Sequence, residues 1–133
     1  MKTNLLKKHA KSFYWASFFL SNDVFNKCSS LYNFCRTLDD IVDDDNKLEV
    51  KKDIFLKFKK DFENKDPNNQ IINDMWSIIE SENISKRVVI DLFDGIETDL
   101  EEKVEITSKK NLLVYSYRVA GTVGLMMSKI LKV

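Results

Sequence analysis

Five aspartates fall within seven positions, Asp39, Asp40, Asp43, Asp44 and Asp45, just after Tyr32 and Arg36. At about 100° per residue on a helix, Tyr32, Arg36, Asp39 and Asp43 share a narrow arc, with Asp40 at its edge. Near a helix C-terminus the macrodipole is negative and like charges a turn apart repel, so such a cluster is costly until a cation neutralises it. Oxygen ligands without histidine or cysteine suit Mg²⁺, or Mn²⁺ in its place. Mg²⁺ takes one or two carboxylates, keeps several waters and completes its shell with phosphate oxygens. Asp39, Asp40 and Asp43 are the candidate metal ligands, and Arg36 could hold the same phosphates in a charge-assisted pair. The plainer alternative is a solvated acidic helix end, with Asp44 and Asp45 belonging to the following loop. A merely solvated face, however, has no use for Tyr32 and Arg36 in register with the acids.

A second informative segment runs from Tyr115 to Met127. On a helical wheel Tyr115, Val119, Thr122 and Met126 share a face with Val123 beside them, while Ala120, Gly121, Gly124 and Ser128 gather on the far side. Each glycine inside a helix costs roughly 1 kcal/mol against alanine, so close approach of a neighbouring helix is expected at Gly121 and Gly124. The opposite face, with Val119 and Val123, could line an apolar tunnel with Tyr115 at its polar mouth. A long apolar chain would fill such a tunnel, since each buried methylene contributes about 0.8 kcal/mol.

The elements that must carry these residues are helical. Three glycines and one proline in 133 residues punctuate too sparsely for a many-stranded sandwich, and 44% hydrophobic residues suffice for a core. One helix is predicted over about Leu5–Leu20. A second follows a capping turn at Ser21-Asn22-Asp23 and carries Val24, Cys28, Leu31, Cys35, Leu38 and Val42 inward to about Asp43 or Asp44. A third over Leu48–Phe62 turns Ile54, Phe55, Phe58 and Phe62 to one side, and Asp66-Pro67-Asn68-Asn69 breaks it. A short helix over about Ile71–Ser81 comes next. Ser85 caps another through about Lys103, with Val88, Val89, Leu92, Phe93, Ile96 and Leu100 inward. The last starts at Thr107 or Ser108 and runs toward Leu131. No repeat or linker interrupts this single domain.

Lysines plus arginines number 21 and so do aspartates plus glutamates, which gives no electrostatic reason to expect nucleic acid. Cys28 and Cys35, two helical turns apart, are too distant to bridge and read as reduced thiols of a cytoplasmic protein. The basic start lacks a signal-type apolar run, and Phe13 to Leu20 is too short to span a bilayer. Peripheral contact with the inner membrane stays compatible with this, and the oligomeric state is not legible.

Three blocks resemble consecutive segments of the squalene/phytoene synthase family, in particular its bacterial phytoene synthases. They are His9-Ala-Lys-Ser-Phe-Tyr-Trp-Ala-Ser-Phe-Phe-Leu20, Leu31-Tyr-Asn-Phe-Cys-Arg-Thr-Leu-Asp-Asp-Ile-Val-Asp-Asp44 and Tyr115-Ser-Tyr-Arg-Val-Ala-Gly-Thr-Val-Gly-Leu-Met-Met127. The resemblance implies an all-α fold, the N-terminal part of the isoprenoid synthase helical bundle. Asp39 and Asp43 match the ends of the family's first DxxxD motif, which binds Mg²⁺, with Asp40 close by. Ser12, Tyr32 and Arg36 match positions near the diphosphates, and Tyr115 an active-site tyrosine. Phe13, Val119 and Val123 match the prenyl pocket, and His9 the histidine that opens its block.

The implied reaction is head-to-head condensation of two geranylgeranyl diphosphates to prephytoene diphosphate and then phytoene. Squalene or dehydrosqualene synthesis from farnesyl diphosphate is the nearest rival, and a non-catalytic helical module the rival of another class. The family's second acidic motif has no counterpart in the 133 residues. Asp91 to Asp99 reads instead as an amphipathic helix with a solvated acidic face. Residues 1–133 are therefore expected to be a partial domain with an incomplete tunnel and little activity alone.

Overall fold

The computed structural model describes residues 20–101, 113–114 and 117–132. Among these the regular structure is helical throughout: α1 (Asn22–Asp43), α2 (Leu48–Glu63), α3 (Gln70–Ser81), α4 (Lys86–Asp99), a π-helical turn (Tyr117–Gly121) and α5 (Thr122–Leu131). None of the helices among the described residues is long and apolar enough to cross a membrane. All of the predicted Leu5–Leu20 helix but Leu20, which lies in a bend, and the caps at Thr107 or Ser108 fall outside the described residues.

Side-chain caps set three of the starts. Ser21 accepts a hydrogen bond from the Val24 amide at 3.3 Å, Asn69 from Ile72 at 3.1 Å and Ser85 from Arg87 at 3.3 Å, each satisfying an amide the helix itself cannot. Left-handed residues stand at three stops, Lys132 (φ 59°) at the end of α5, Lys65 (φ 53°) after α2 and Asn83 (φ 52°) after α3, and the last two share one closing pattern. Each of these two closes its helix by a backbone bond back across the end, Asp66 to Asp61 and Ile84 to Ile79, both at 3.0 Å.

The core gathers around α1, which packs against α2, α3, α4 and α5. Phe34 of α1 is fully buried and meets the rings of Phe58, Phe62 and Phe93 at 5.4–5.8 Å, with Phe93 edge-on. Burial of each such side chain contributes about 1.5–3 kcal/mol. Beyond them the half-buried Trp76 stacks on Phe62 at 4.8 Å and donates its indole N–H to the Phe62 carbonyl at 2.8 Å, so the ring packs without stranding its donor.

Four expectations need correction. Ile54 is 40% exposed, because Phe55, Phe58 and Phe62 already fill the inward stripe of α2. The fourth described helix ends at Asp99 rather than near Lys103, where the Leu100 amide turns back to the Glu97 carbonyl. The last helix is not uniform: five residues from Tyr117 to Gly121 are wound as π-helix before α5 begins. Gly124 has no described atom within 4 Å of where a Cβ would stand, so no described helix approaches it closely.

Candidate functional site

The acidic cluster is split by the end of α1. Asp43 is its last helical residue and Asp44 caps it in an extended conformation (φ −62°, ψ 150°). Asp44 turns into the loop, accepting from the Asp45 amide at 2.8 Å and from the Asn46 side chain. Asp39, Asp40 and Asp43 stay on the helix, whose last turn carries no basic residue. Asp39 is buried at 9% exposure, whereas Asp40 and Asp43 face solvent. Lys51 of α2 donates to the Val42 carbonyl at 2.9 Å and ties this helix end down.

Arg36 sits between two of its neighbours on the stripe. Its guanidinium donates to the Tyr32 hydroxyl at 3.3 Å and lies 3.9 Å from the Asp40 carboxylate. Both partners are one turn away along α1, and both favour the charged guanidinium. The structure thus brings Tyr32, Arg36 and Asp40 into contact and puts Asp39 and Asp43 a turn apart beside them. The Cys35 thiol, on the core side of the stripe, is pushed up to about 12 by burial and then by the Asp39 charge. Cys28 and Cys35 are both free thiols.

The donor set fits a hard cation bound mainly through other oxygens. No three histidine, cysteine or acidic side chains among the described residues converge to cage an ion. A pair of helix carboxylates is what Mg²⁺ uses when water and phosphate complete its shell.

Sequence reasoning missed a second polar site. Asp91 of α4 is buried at 8% exposure, not solvated, because Tyr117 donates to it at 3.0 Å and Arg87 approaches at 3.1 Å. That donation, then burial, raises the Tyr117 phenol above its usual range. One turn on, a Cβ at Gly95 would lie 2.8 Å from Arg118 Cβ and 2.9 Å from Val119 Cγ1, so only glycine allows α4 to sit against the π turn. A Cβ at Gly121 would meet the Tyr117 ring at 3.1 Å, so what approaches this glycine is a ring of its own turn and not the neighbouring helix expected. The signal was present: Gly95 costs helix stability on the shoulder of the apolar arc of α4, one turn after an aspartate on the same shoulder.

Of the remaining predicted site residues, Val119 is half-buried against Gly95, and Val123 packs on the core. His9, Ser12, Phe13 and Tyr115 lie outside the described residues. A shallow groove of about 230 Å³ lined by Lys52, Phe55, Leu56, Glu97, Leu100 and Glu101 involves none of the predicted residues.

Both motif segments lie inside a single family match, the squalene/phytoene synthase model, which covers residues 6–133. The chain belongs to the squalene/phytoene synthase family. Curated relatives include bifunctional lycopene cyclase/phytoene synthases from three fungi. The Leptosphaeria maculans protein is 30% identical over 91% of this chain, that of Blakeslea trispora 28% over 96%, and that of Pyrenophora tritici-repentis 32% over 92%. The chain spans 24% of the length of each. No solved structure matches it significantly.

Proposed function

We propose that this chain forms part of a phytoene synthase, which condenses two geranylgeranyl diphosphates head to head to prephytoene diphosphate and converts that to phytoene. The observation that carries the reading is the stripe on α1, where a guanidinium steadied by Tyr32 and Asp40 stands beside Asp39 and Asp43. Family membership supports the reaction class, and the phytoene synthase relatives support the choice within it.

Asp39 and Asp43, with Asp40 beside them, would hold Mg²⁺ or Mn²⁺. The ion, when bound, neutralises diphosphate charge and makes diphosphate a better leaving group. Arg36 binds diphosphate oxygens as a permanent cation, and Tyr32 orients it by accepting one of its N–H groups. Val119 and Val123 present apolar surface to the prenyl chain and exclude water from the carbocation that ionisation leaves. Ser12, Phe13 and Tyr115 complete the diphosphate site and pocket in this reading, which makes the chain a partial domain whose second acidic motif comes from elsewhere in the protein. Substrates with such long apolar tails favour a cytoplasmic enzyme in peripheral contact with the inner membrane.

The test supplies geranylgeranyl or farnesyl diphosphate, each with Mg²⁺ and no NADPH, to the full-length protein and separates the products by chromatography. Phytoene from the geranylgeranyl substrate is the expected result. Consumption of farnesyl diphosphate alone would replace the phytoene reading with squalene or dehydrosqualene synthesis. Inertness toward both would leave a helical binding module.

A further inference from the structure

A π-helical turn is a rare winding, and its extra residue rotates the chain on its N-terminal side against α5 by about 100° relative to a regular helix. Two features of α4 are spent on holding the turn at Tyr117–Gly121. One is the carboxylate of Asp91, taken out of water and matched by the Tyr117 hydroxyl at 3.0 Å and by Arg87 at 3.1 Å. The other is Gly95, which lets the Arg118 and Val119 side chains lie where a Cβ would otherwise stand. On the turn itself, Gly121 makes room for the Tyr117 ring, and the Thr122 hydroxyl donates to the Arg118 carbonyl at 2.8 Å. The turn is therefore fixed at its first residue through a polar contact, in its middle by close packing, and at its exit by a hydroxyl.

We propose that Asp91, Gly95 and Tyr117 are positioning residues that lock the π turn and thereby set how Val119 and Val123 face the prenyl chain, making them determinants of chain-length preference. The inference rests on the synthase reading. Val119 lies within the turn and Val123 two residues beyond it, so relaxing the turn to regular helix rotates one against the other. That rotation changes the cross-section of an apolar wall without touching Arg36, Asp39 or Asp43. Farnesyl and geranylgeranyl chains differ in how far they reach along such a wall, so their reactions respond unequally.

The experiment measures kcat/KM of the full-length enzyme for geranylgeranyl and farnesyl diphosphates in wild type, Tyr117→Phe, Asp91→Asn and the double variant. Tyr117→Phe removes one oxygen and keeps the ring over Gly121, so it tests the latch even if the Asp91 variant folds poorly. The ratio of the two kcat/KM values should shift about fivefold in Tyr117→Phe, the scale of a modest change in an apolar pocket. Asp91→Asn should shift it in the same direction, and the double variant should add little to the larger single effect. A proportionate loss on both substrates, an unchanged ratio, or additive shifts would overturn the positioning role while leaving the synthase reading intact. A wild type inert toward both diphosphates would overturn that reading, and the positioning role with it.

Discussion

Asp39 and Asp91 are buried to nearly the same degree, at 9% and 8% exposure, yet they keep opposite company. Asp91 faces a phenol and a guanidinium supplied from two different turns of the fold. Asp39 shares its helix face with Asp40 and Asp43 at a helix end that has no basic residue in its last turn. Arg36, on the same face, contacts Tyr32 and Asp40, and the Asp39 charge also favours its charged form. The thiol of Cys35 registers this field, since burial and the Asp39 charge together push it up to about 12. Burying a carboxylate is costly unless the surroundings stabilise it. At Asp91 the chain supplies that stabilisation and gains a contact between α4 and the π turn. At Asp39 it places two further carboxylates on the same helix face, the grouping on which the proposed cation site rests.

The largest effect should come from removing the acidic pair. On the synthase reading, Asp39→Ala or Asp43→Ala in the full-length protein should lower kcat on the order of a thousandfold, the loss expected if these carboxylates hold a metal that stabilises a leaving group. The melting temperature should hold steady or rise, because a like charge near a helix C-terminus has gone. Steady-state kinetics beside calorimetry checks both halves. A matching collapse in melting temperature would make Asp39 a structural carboxylate like Asp91 and abolish the contrast.

Asp91→Ala should do the reverse, costing stability directly. The loss should be about 1–2 kcal/mol, toward the low end for a buried charged hydrogen bond because Tyr117 and Arg87 can both turn to water. Urea denaturation measures it. Full stability in Asp91→Ala would mean that the 3.0 Å contact to Tyr117 contributes nothing net.

The helices were legible because their signals are local. Ser21 and Ser85 cap where capping residues precede apolar periodicity, the break at Asp66 to Asn69 ends in a residue that caps the next helix, and Phe55, Phe58 and Phe62 bury as their spacing dictates. The stripe of Tyr32, Arg36, Asp39 and Asp43 was equally legible, since it depends only on positions three and four apart along one helix, and Asp40 at its edge is the acid that Arg36 contacts. The features that escaped depend on a partner distant in sequence. Asp91 looks like any acid on an amphipathic helix until Tyr117, 26 residues later, reaches it. The π turn escaped too, because wheel positions assume regular winding and nothing in Tyr117–Gly121 marks an extra residue per turn. Gly124 was misread for the same reason: a wheel groups small residues on one side without saying which of them another element touches.

The smallest effect separates those glycines. Gly95 sits where a Cβ would strike Arg118 at 2.8 Å, and Gly121 where it would press the Tyr117 ring at 3.1 Å, so both are small because something occupies the space. Gly124 is exposed on α5, and among the described residues nothing lies within 4 Å of its Cβ position. A methyl group there loses nothing to a clash and reduces the backbone freedom of the unfolded chain. Gly124→Ala should therefore stabilise the full-length protein by up to about 1 kcal/mol, read as a small rise in melting temperature with unchanged kcat. A fall in either quantity would mean that Gly124, like Gly95, faces a close neighbour supplied by the rest of the protein, and the far side of α5 would then be a packing face rather than an open one.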